Sequence, residues 1–547
     1  MEHLSSIAFT PDKKSVGANP EKTPATTLRW PLAWSTTLLL VLGILGTALV
    51  LYQTRLGPGA SGDSAFYLMG ARNLIESGSF ARTSGGGETY PITGFPPLYS
   101  AAIAAVGLMG VDLVAGARIL NGILFGVNVF LVGYLILRYT DSIWAALIGS
   151  LLTLSADGLF EIHGWMMSEA LYLSLMLVAL YALAVYIDNA RSFLLPVIAI
   201  LTGLATLTRY VGFSLVATAG ISILVFGAGS WRHKIGRSVA VALIGLLPVA
   251  LWFTRNALLA GTVTNRELAF HLPLYSNLLR NFLAEGSSWI VPHQVPLPTA
   301  FRAALAIAIV LVALVAFVRH KIDPNHQADV GRRGGLSQLP WLALLAIGTH
   351  LAVLLTNSIF LDAATTLGAP RRYLVPVFIL TLLFMVCVSY DLMVRPSKRR
   401  ILVPIVIVYG LALLGLYAGQ TAEVLRDPVG RMGYMGHRIR FPELTSELKS
   451  LSPDRPIISN NPEWIYILAD RPAYVRPIAF DPYQVTFRED YAQQVQFAGA
   501  NLMRGGIFVV FGEPEETDVD LIESFSLVPM SSYPIATIYG YEQAGAD

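Results

Sequence analysis

Between Trp30 and Gly419 the chain is a near-continuous succession of apolar runs, many of them about 20 residues long, parted by short polar links. A run of that length matches the hydrocarbon thickness of a bilayer, and inside lipid only helices can satisfy their own backbone. Hydrophobic residues make up 54% of the 547 positions and charged ones 14%. Soluble domains carry about 25% charged residues, so the chain belongs to the polytopic helical membrane class. The runs are Trp30 to Tyr52, Leu113 to Leu137, Ile143 to Ser155, Ala170 to Ile187, Phe193 to Leu207 and Val211 to Phe226. Ser238 to Phe253, Ala300 to Val318, Pro340 to Phe360, Leu374 to Val394 and Ile401 to Gly419 complete them. About eleven transmembrane helices are expected in residues 30–419. Leu98 to Met109 is too short to cross and is expected to be re-entrant or interfacial.

Charge gives the sidedness. Lys13, Lys14, Lys22 and Arg29 precede the first run, and Arg232, Lys234, Arg319, Lys321, Lys398 and Arg399 fill later links. Positive-inside bias puts the N-terminus in the cytoplasm and the 53–97 loop outside, in a multi-pass protein of the cell membrane. Residues 1–29 are too long and too weakly charged for a signal-peptide start and are expected to form a disordered cytoplasmic tail. The net charge of +2 points to no nucleic-acid partner, and the single cysteine, Cys387, lies in an apolar run. No disulfide can form within one chain from it.

From Gln420 the composition turns charged and Pro-rich. Strand patterns at Arg455 to Ser459 and Gly506 to Gly512 alternate with helical stretches such as Asn461 to Ala469. Residues 420–547 are therefore expected to form a small extracytoplasmic α/β domain.

The long outer loop, 53–97, is where chemistry is expected, because long loops among short ones are usually functional. Asp63 opens an amphipathic run there, beside Tyr67. It is a candidate acid and equally a candidate helix cap. Glu169, after Ser168 at the outer mouth of the fourth span, is an ionisable group at membrane depth, or a helix-start charge suited to the dipole. Glu161 and His163 share its loop as supporting partners. Arg209, Arg255, Arg371 and Arg372 lie at outer span ends, next to Tyr210, Asn256 and Tyr373. Positive-inside bias disfavours arginines on that side, so their presence suggests a bound anion, and guanidinium groups grip phosphate bidentately.

Taken in order, Gly62 to Tyr67, Phe95 to Tyr99, Ser168-Glu169, Leu207 to Gly212, Trp252 to Asn256 and Arg372 to Pro376 resemble the GT-C glycosyltransferases. Ile458 to Tyr466 is similar to the periplasmic domains that some bacterial members carry. These membrane enzymes transfer a sugar from a polyprenyl-phosphate carrier, and they include protein O-mannosyltransferases and the lipid A aminoarabinose transferase. The resemblance implies a GT-C fold and a polyprenyl-phosphate-sugar donor. It implies an acceptor that is lipid, glycan or protein, with Asp63 as the base and Glu169 as the second acid. Ser64 follows Asp63 where protein O-mannosyltransferases usually carry a second adjacent acid. An inverting transfer without a cofactor is expected, with a divalent metal left open. A transporter or flippase of a lipid-linked saccharide, or an inactive envelope scaffold, is the reading from other classes. A transporter calls for charges near mid-bilayer, where this sequence has almost none.

Overall fold

The computed structural model describes residues 32–266, 268, 270, 275–322, 335–361, 370–394, 399–481 and 486–541. The tail expected over 1–29 lies outside them. The apolar runs form helices, as backbone groups without water require. The first part of the bundle is α1 (Leu32–Gln53), α2 (Gly62–Ser77), α3 (Leu98–Gly107), α4 (Leu113–Thr140), α5 (Ile143–Leu154), α6 (Asp157–Gly164), α7 (Glu169–Asn189) and α8 (Leu194–Thr208). It continues with α9 (Phe213–Phe226), α10 (Trp231–Ala260), α11 (Tyr275–Ser288), α12 (Thr299–Ile322), α13 (Leu339–Phe360), α14 (Pro370–Met393) and α15 (Arg399–Arg426).

Each of the eleven expected spans coincides with a helix in this series. Among the described residues, eight helices are long and apolar enough to cross alone: α1, α4, α7, α10, α12, α13, α14 and α15. The third span is a pair, α5 and α6, bent by 56° at the break between them. The fifth and sixth are the short apolar helices ending at Thr208 and Phe226. Membrane helices have no hydrophobic force driving them together, so close approach and shared hydrogen bonds hold the bundle. Gly43 of α1 faces Gly126 of α4 so closely that a Cβ on Gly43 would lie 2.7 Å from the Gly126 carbonyl oxygen. Between α4 and α7, Asn128 accepts from Ser174 at 2.8 Å.

The polar links sort to two ends of the bundle. At one end, the 53–97 loop, the start of α6, the start of α7, the end of α8 and the start of α14 converge. At the other end Asp188 accepts from the Ser337 amide and hydroxyl. Within the 53–97 loop, the Gly/Ser/Thr-rich patch is a hairpin: β1 (Ala81–Thr83) pairs antiparallel with β2 (Thr89–Pro91). No alternating apolar pattern marks these residues, and the hairpin is held instead by its own ladder and by Asn73 of α2, which donates to the Ala81 carbonyl.

α15 runs on to Arg426, past the composition change at Gln420, and the C-terminal domain follows. It contains α16 (Tyr434–Arg440), α17 (Pro442–Ser450), β3 (Ile457–Ser459), α18 (Pro462–Ala469), β4 (Tyr474–Val475), β5 (Phe480–Asp481), β6 (Thr486–Phe487), α19 (Tyr491–Met503), β7 (Ile507–Phe511), α20 (Glu516–Ser524), β8 (Val528–Tyr533) and β9 (Ala536–Gly540). A five-stranded sheet runs β4-β3-β7-β9-β8, parallel across β4, β3 and β7 and antiparallel beyond. The middle strand β7 is buried at every position, as a strand covered on both faces must be.

The domain docks on the loop end of the bundle. Two isolated parallel bridges, Gly59 with Trp165 and Ala60 with Gly433, tie the 53–97 loop to the α6–α7 link and to the start of the domain. Gly433 has φ +53 and would press a Cβ into the Ala60 carbonyl, so only glycine suits it. At the helix contact, Gly126→Val is expected to destabilise the solubilised protein by about 1–3 kcal/mol through overpacking. Gly348→Ala, where an added Cβ meets no atom within 4 Å, should leave it unchanged. Thermal unfolding in detergent distinguishes the two, and equal melting temperatures would show that α1 and α4 are not packed as described.

Candidate active site

α2 begins at the joint between the first span and the outer loop, with Ser61 as its cap. The Ser61 amide donates to the Ser64 hydroxyl at 3.0 Å, so capping falls to the serines. Asp63, in the first turn, is thereby left for another partner. Its Oδ2 receives Arg372 Nη2 at 2.6 Å, across more than 300 residues of chain. Arg372 also donates through Nε to Glu169 Oε1. The same oxygen takes Arg209 Nη1 at 2.7 Å. Four charges therefore alternate in one chain of contacts: Asp63, Arg372, Glu169, Arg209. They come from α2, α14, α7 and the end of α8.

Exposure separates the two acids. Glu169 is 1% exposed, and Asp63 keeps 29% of its side chain open. The Arg372 and Arg209 side chains are 18% and 14% exposed. Glu169 thus lies beneath the arginines as their shared counter-ion, while Asp63 stands at the rim. The second oxygen of Glu169, Oε2, is buried and has no hydrogen-bond partner among the described residues.

Neutral groups fix this arrangement. Arg209 donates to the Ser168 hydroxyl at 3.1 Å, and Ser168 shares a 2.9 Å hydrogen bond with the Tyr67 hydroxyl. Burial pushes the Tyr67 phenol well above its ordinary value, and the Asp63 carboxylate adds to that effect, so the hydroxyl keeps its proton. Tyr67 packs edge-on to Tyr99 and Phe95. The guanidinium carbons of Arg209 and Arg372 stand 5.9 and 5.8 Å from the Tyr373 ring centre, within cation–π range.

The remaining candidates sit elsewhere. Arg371 is next to Arg372, but neighbours on a helix point about 100° apart. It enters a second cluster, with Asp157 at 2.9 Å, Glu285 at 3.2 Å and Glu161 at 3.4 Å. Arg255 donates to the Phe80 and Ile92 carbonyls at 2.9 and 3.2 Å. Tyr210 donates to the Thr93 carbonyl at 3.0 Å. Both pin the outer loop instead of joining Asp63. His163, expected as a supporting partner, lies inside the bundle. It is buried below the cluster, with Nε2 3.0 Å from Asn128 Nδ2 and Nδ1 2.6 Å from the Leu159 carbonyl, and both ring nitrogens are used inside the bundle. Glu463 of α18 was not singled out as a site residue; its Cγ lies 3.9 Å from where a Cβ of Gly62 would stand, beside Asp63. A lone acid in a tail helix carries no sequence signal for that position.

Solved structures show the same arrangement of elements. ArnT from Cupriavidus metallidurans bound to undecaprenyl phosphate superposes with a TM-score of 0.58 at 11% identity, over 94% of this chain and 99% of that one. Its apo state gives 0.58 at 13% identity, over 94% and 100%. The chain has the GT-C fold. The match runs through the C-terminal domain as well as the membrane helices, since it leaves almost none of either chain uncovered. No protein-family model and no curated protein matches the sequence.

The charge cluster makes a contrast that stability can test. Glu169→Leu removes the buried counter-ion that Arg209 and Arg372 share and is expected to cost about 3–5 kcal/mol. Asp63→Asn removes one contact of a partly exposed acid and is expected to cost no more than about 1 kcal/mol. Thermal unfolding of both variants in the same detergent checks this, and equal losses would remove Glu169 from the centre of the cluster.

Proposed function

We propose that this chain is a membrane glycosyltransferase that takes a sugar from a polyprenyl-phosphate donor and transfers it to an acceptor hydroxyl at the extracytoplasmic face. The observation that carries the reading is the Asp63–Arg372 pair. A half-open carboxylate is held by a guanidinium whose other nitrogen is anchored on a buried acid. The GT-C fold supports it, and so does the undecaprenyl phosphate bound by the structurally similar ArnT.

In this reading Arg372 and Arg209 receive the donor phosphate, Tyr373 backs both, and Glu169 positions them. The acceptor hydroxyl lies against Asp63 Oδ1, because Arg372 occupies Oδ2. As the acceptor oxygen attacks the anomeric carbon, its proton passes to Asp63. The bond from that carbon to the phosphate oxygen breaks, and the electron pair leaves on the phosphate. In-line displacement inverts the anomeric centre. Charge develops on the leaving phosphate where two preorganised cations already stand, which is the efficient place for electrostatic stabilisation. Proton abstraction by a positioned carboxylate supplies typically 10²–10⁴-fold. The N-terminus is cytoplasmic in this orientation, and the cluster and the C-terminal domain face outward.

Sugar transfer from a panel of labelled polyprenyl-phosphate sugars, measured in nanodiscs with an envelope extract as acceptor, tests the assignment. Asp63→Asn is expected to lower the turnover by 10²–10⁴-fold while undecaprenyl phosphate binding persists. Arg372→Met is expected to weaken that binding. Undiminished transfer by a folded Asp63→Asn protein would overturn Asp63 as the base.

A further inference from the structure

Beside the charge cluster, a cleft opens between the outer loop and the C-terminal domain. Arg82 and Tyr90 of the β1–β2 hairpin form one wall; Glu463, Tyr466, Tyr474 and Phe497 of the domain form the other. Neither part makes the cleft alone. We infer that this cleft binds a saccharide unit of the acceptor and delivers one of its hydroxyls to Asp63. The inference rests on the glycosyltransferase reading and names the chemistry of its second substrate.

Three observations favour a sugar. A sugar ring has flat C–H faces and a rim of hydroxyls, so it calls for aromatic surfaces with a few charged or hydroxyl groups between them. The cleft supplies four aromatic side chains, one carboxylate and one guanidinium, with Arg82 lying 5.9 Å from the Tyr90 ring centre. Such a lining, mostly apolar with a few convergent polar groups, is the usual form of a small-molecule site. Next, the Tyr466 hydroxyl is buried and has no hydrogen-bond partner among the described residues, although Tyr466 lines the cleft and is only 5% exposed. A buried hydroxyl without a partner costs free energy that a ligand hydroxyl can recover. Lastly, Glu463 belongs to the cleft and also neighbours Gly62, one residue from Asp63. Burial pushes its carboxyl above the ordinary range, with the Asp63 charge acting in the same direction against Arg82. A carboxyl so placed can share hydrogen bonds with sugar hydroxyls.

A peptide acceptor fits less well. β4, whose Tyr474 and Val475 line the cleft, is one of the two edges of the five-stranded sheet, and a peptide strand in this cleft would add there. The hairpin tip already covers it: Gly85 lies so close that its Cβ would stand 2.7 Å from the Tyr474 amide nitrogen. A lipid tail would call for uniformly apolar walls, and this cleft sets Arg82, Thr83, Ser84 and Glu463 among its apolar residues.

The test uses the full chain in nanodiscs on an array of immobilised hexoses, pentoses, hexosamines, uronates and short peptides, with undecaprenyl phosphate binding followed in parallel by native mass spectrometry. Wild type is expected to retain at least one saccharide class and no peptide. Glu463→Gln and Tyr466→Phe, both close in shape to the native residues, are expected to weaken that retention at least 10-fold with undecaprenyl phosphate binding unchanged. Undecaprenyl phosphate bound without any saccharide, saccharide retention unaltered in both variants, or retention of peptides instead would each overturn the proposal while sparing the donor reading. Failure to bind undecaprenyl phosphate as well would overturn both.

Discussion

One oxygen of Glu169 shared by two guanidinium groups is the contact on which the loop end of this molecule depends. Glu169 is buried at the start of a membrane helix, where an unpaired carboxylate would be costly. Arg209 and Arg372 meet that demand, and each is then fixed by it. Arg372 has a nitrogen left over, and with it holds Asp63. The order of the four charges is therefore an outcome of burial: the acid deepest in the protein claims the cations, and the shallower acid is held by what remains. In the proposed reaction this order has a further use. The donor phosphate ester carries one negative charge and its leaving form two, while Asp63 loses its charge on taking the proton. The total stays constant, and one unit of negative charge moves from a carboxylate to a phosphate past the arginine that stands between them.

The membrane domain was legible because lipid imposes a uniform rule. A run of apolar residues has no alternative to a helix, and basic links mark one side. All eleven expected segments fall on helices, down to the short ones at 143–155 and 193–207. The break after Leu154 agrees with the end expected for the third span at Ser155, but the short helix α6 beyond it and its 56° bend were not legible. The strands at 457–459 and 507–511 were legible from short β-rich runs between turn residues, whereas the β1–β2 hairpin consists of polar and glycine-rich sequence that reads as loop.

The candidate site was half legible. Asp63, Glu169, Arg209 and Arg372 could be picked out as charges where charges are expensive, and the structure draws those four together. Their ranks could not be read, because burial decides which acid is the counter-ion and which stands open. Sequence also could not separate Arg371 from Arg372, as one residue of helix rotation sends each to a different set of acids. Arg255 and Tyr210 sit at the right depth with the right chemistry, yet their partners are backbone carbonyls of the outer loop, and carbonyls leave no trace in a sequence. Glu463 was invisible for the opposite reason: its importance comes wholly from a domain interface more than 390 residues away in the chain.

The two backbone bridges at Gly59 and Ala60 have a consequence for how the protein is made. A chain emerging from the ribosome inserts its first spans and its outer loop long before residues 372 and 433 exist. Until then Asp63 lacks Arg372, the loop lacks the strand partner at Gly433, and the cleft lacks its second wall. The Asp63–Arg372 pair, the Ala60–Gly433 bridge and the cleft are each a junction between early and late parts of the polypeptide. The site and the cleft are thus completed only by the last parts of the chain to be made.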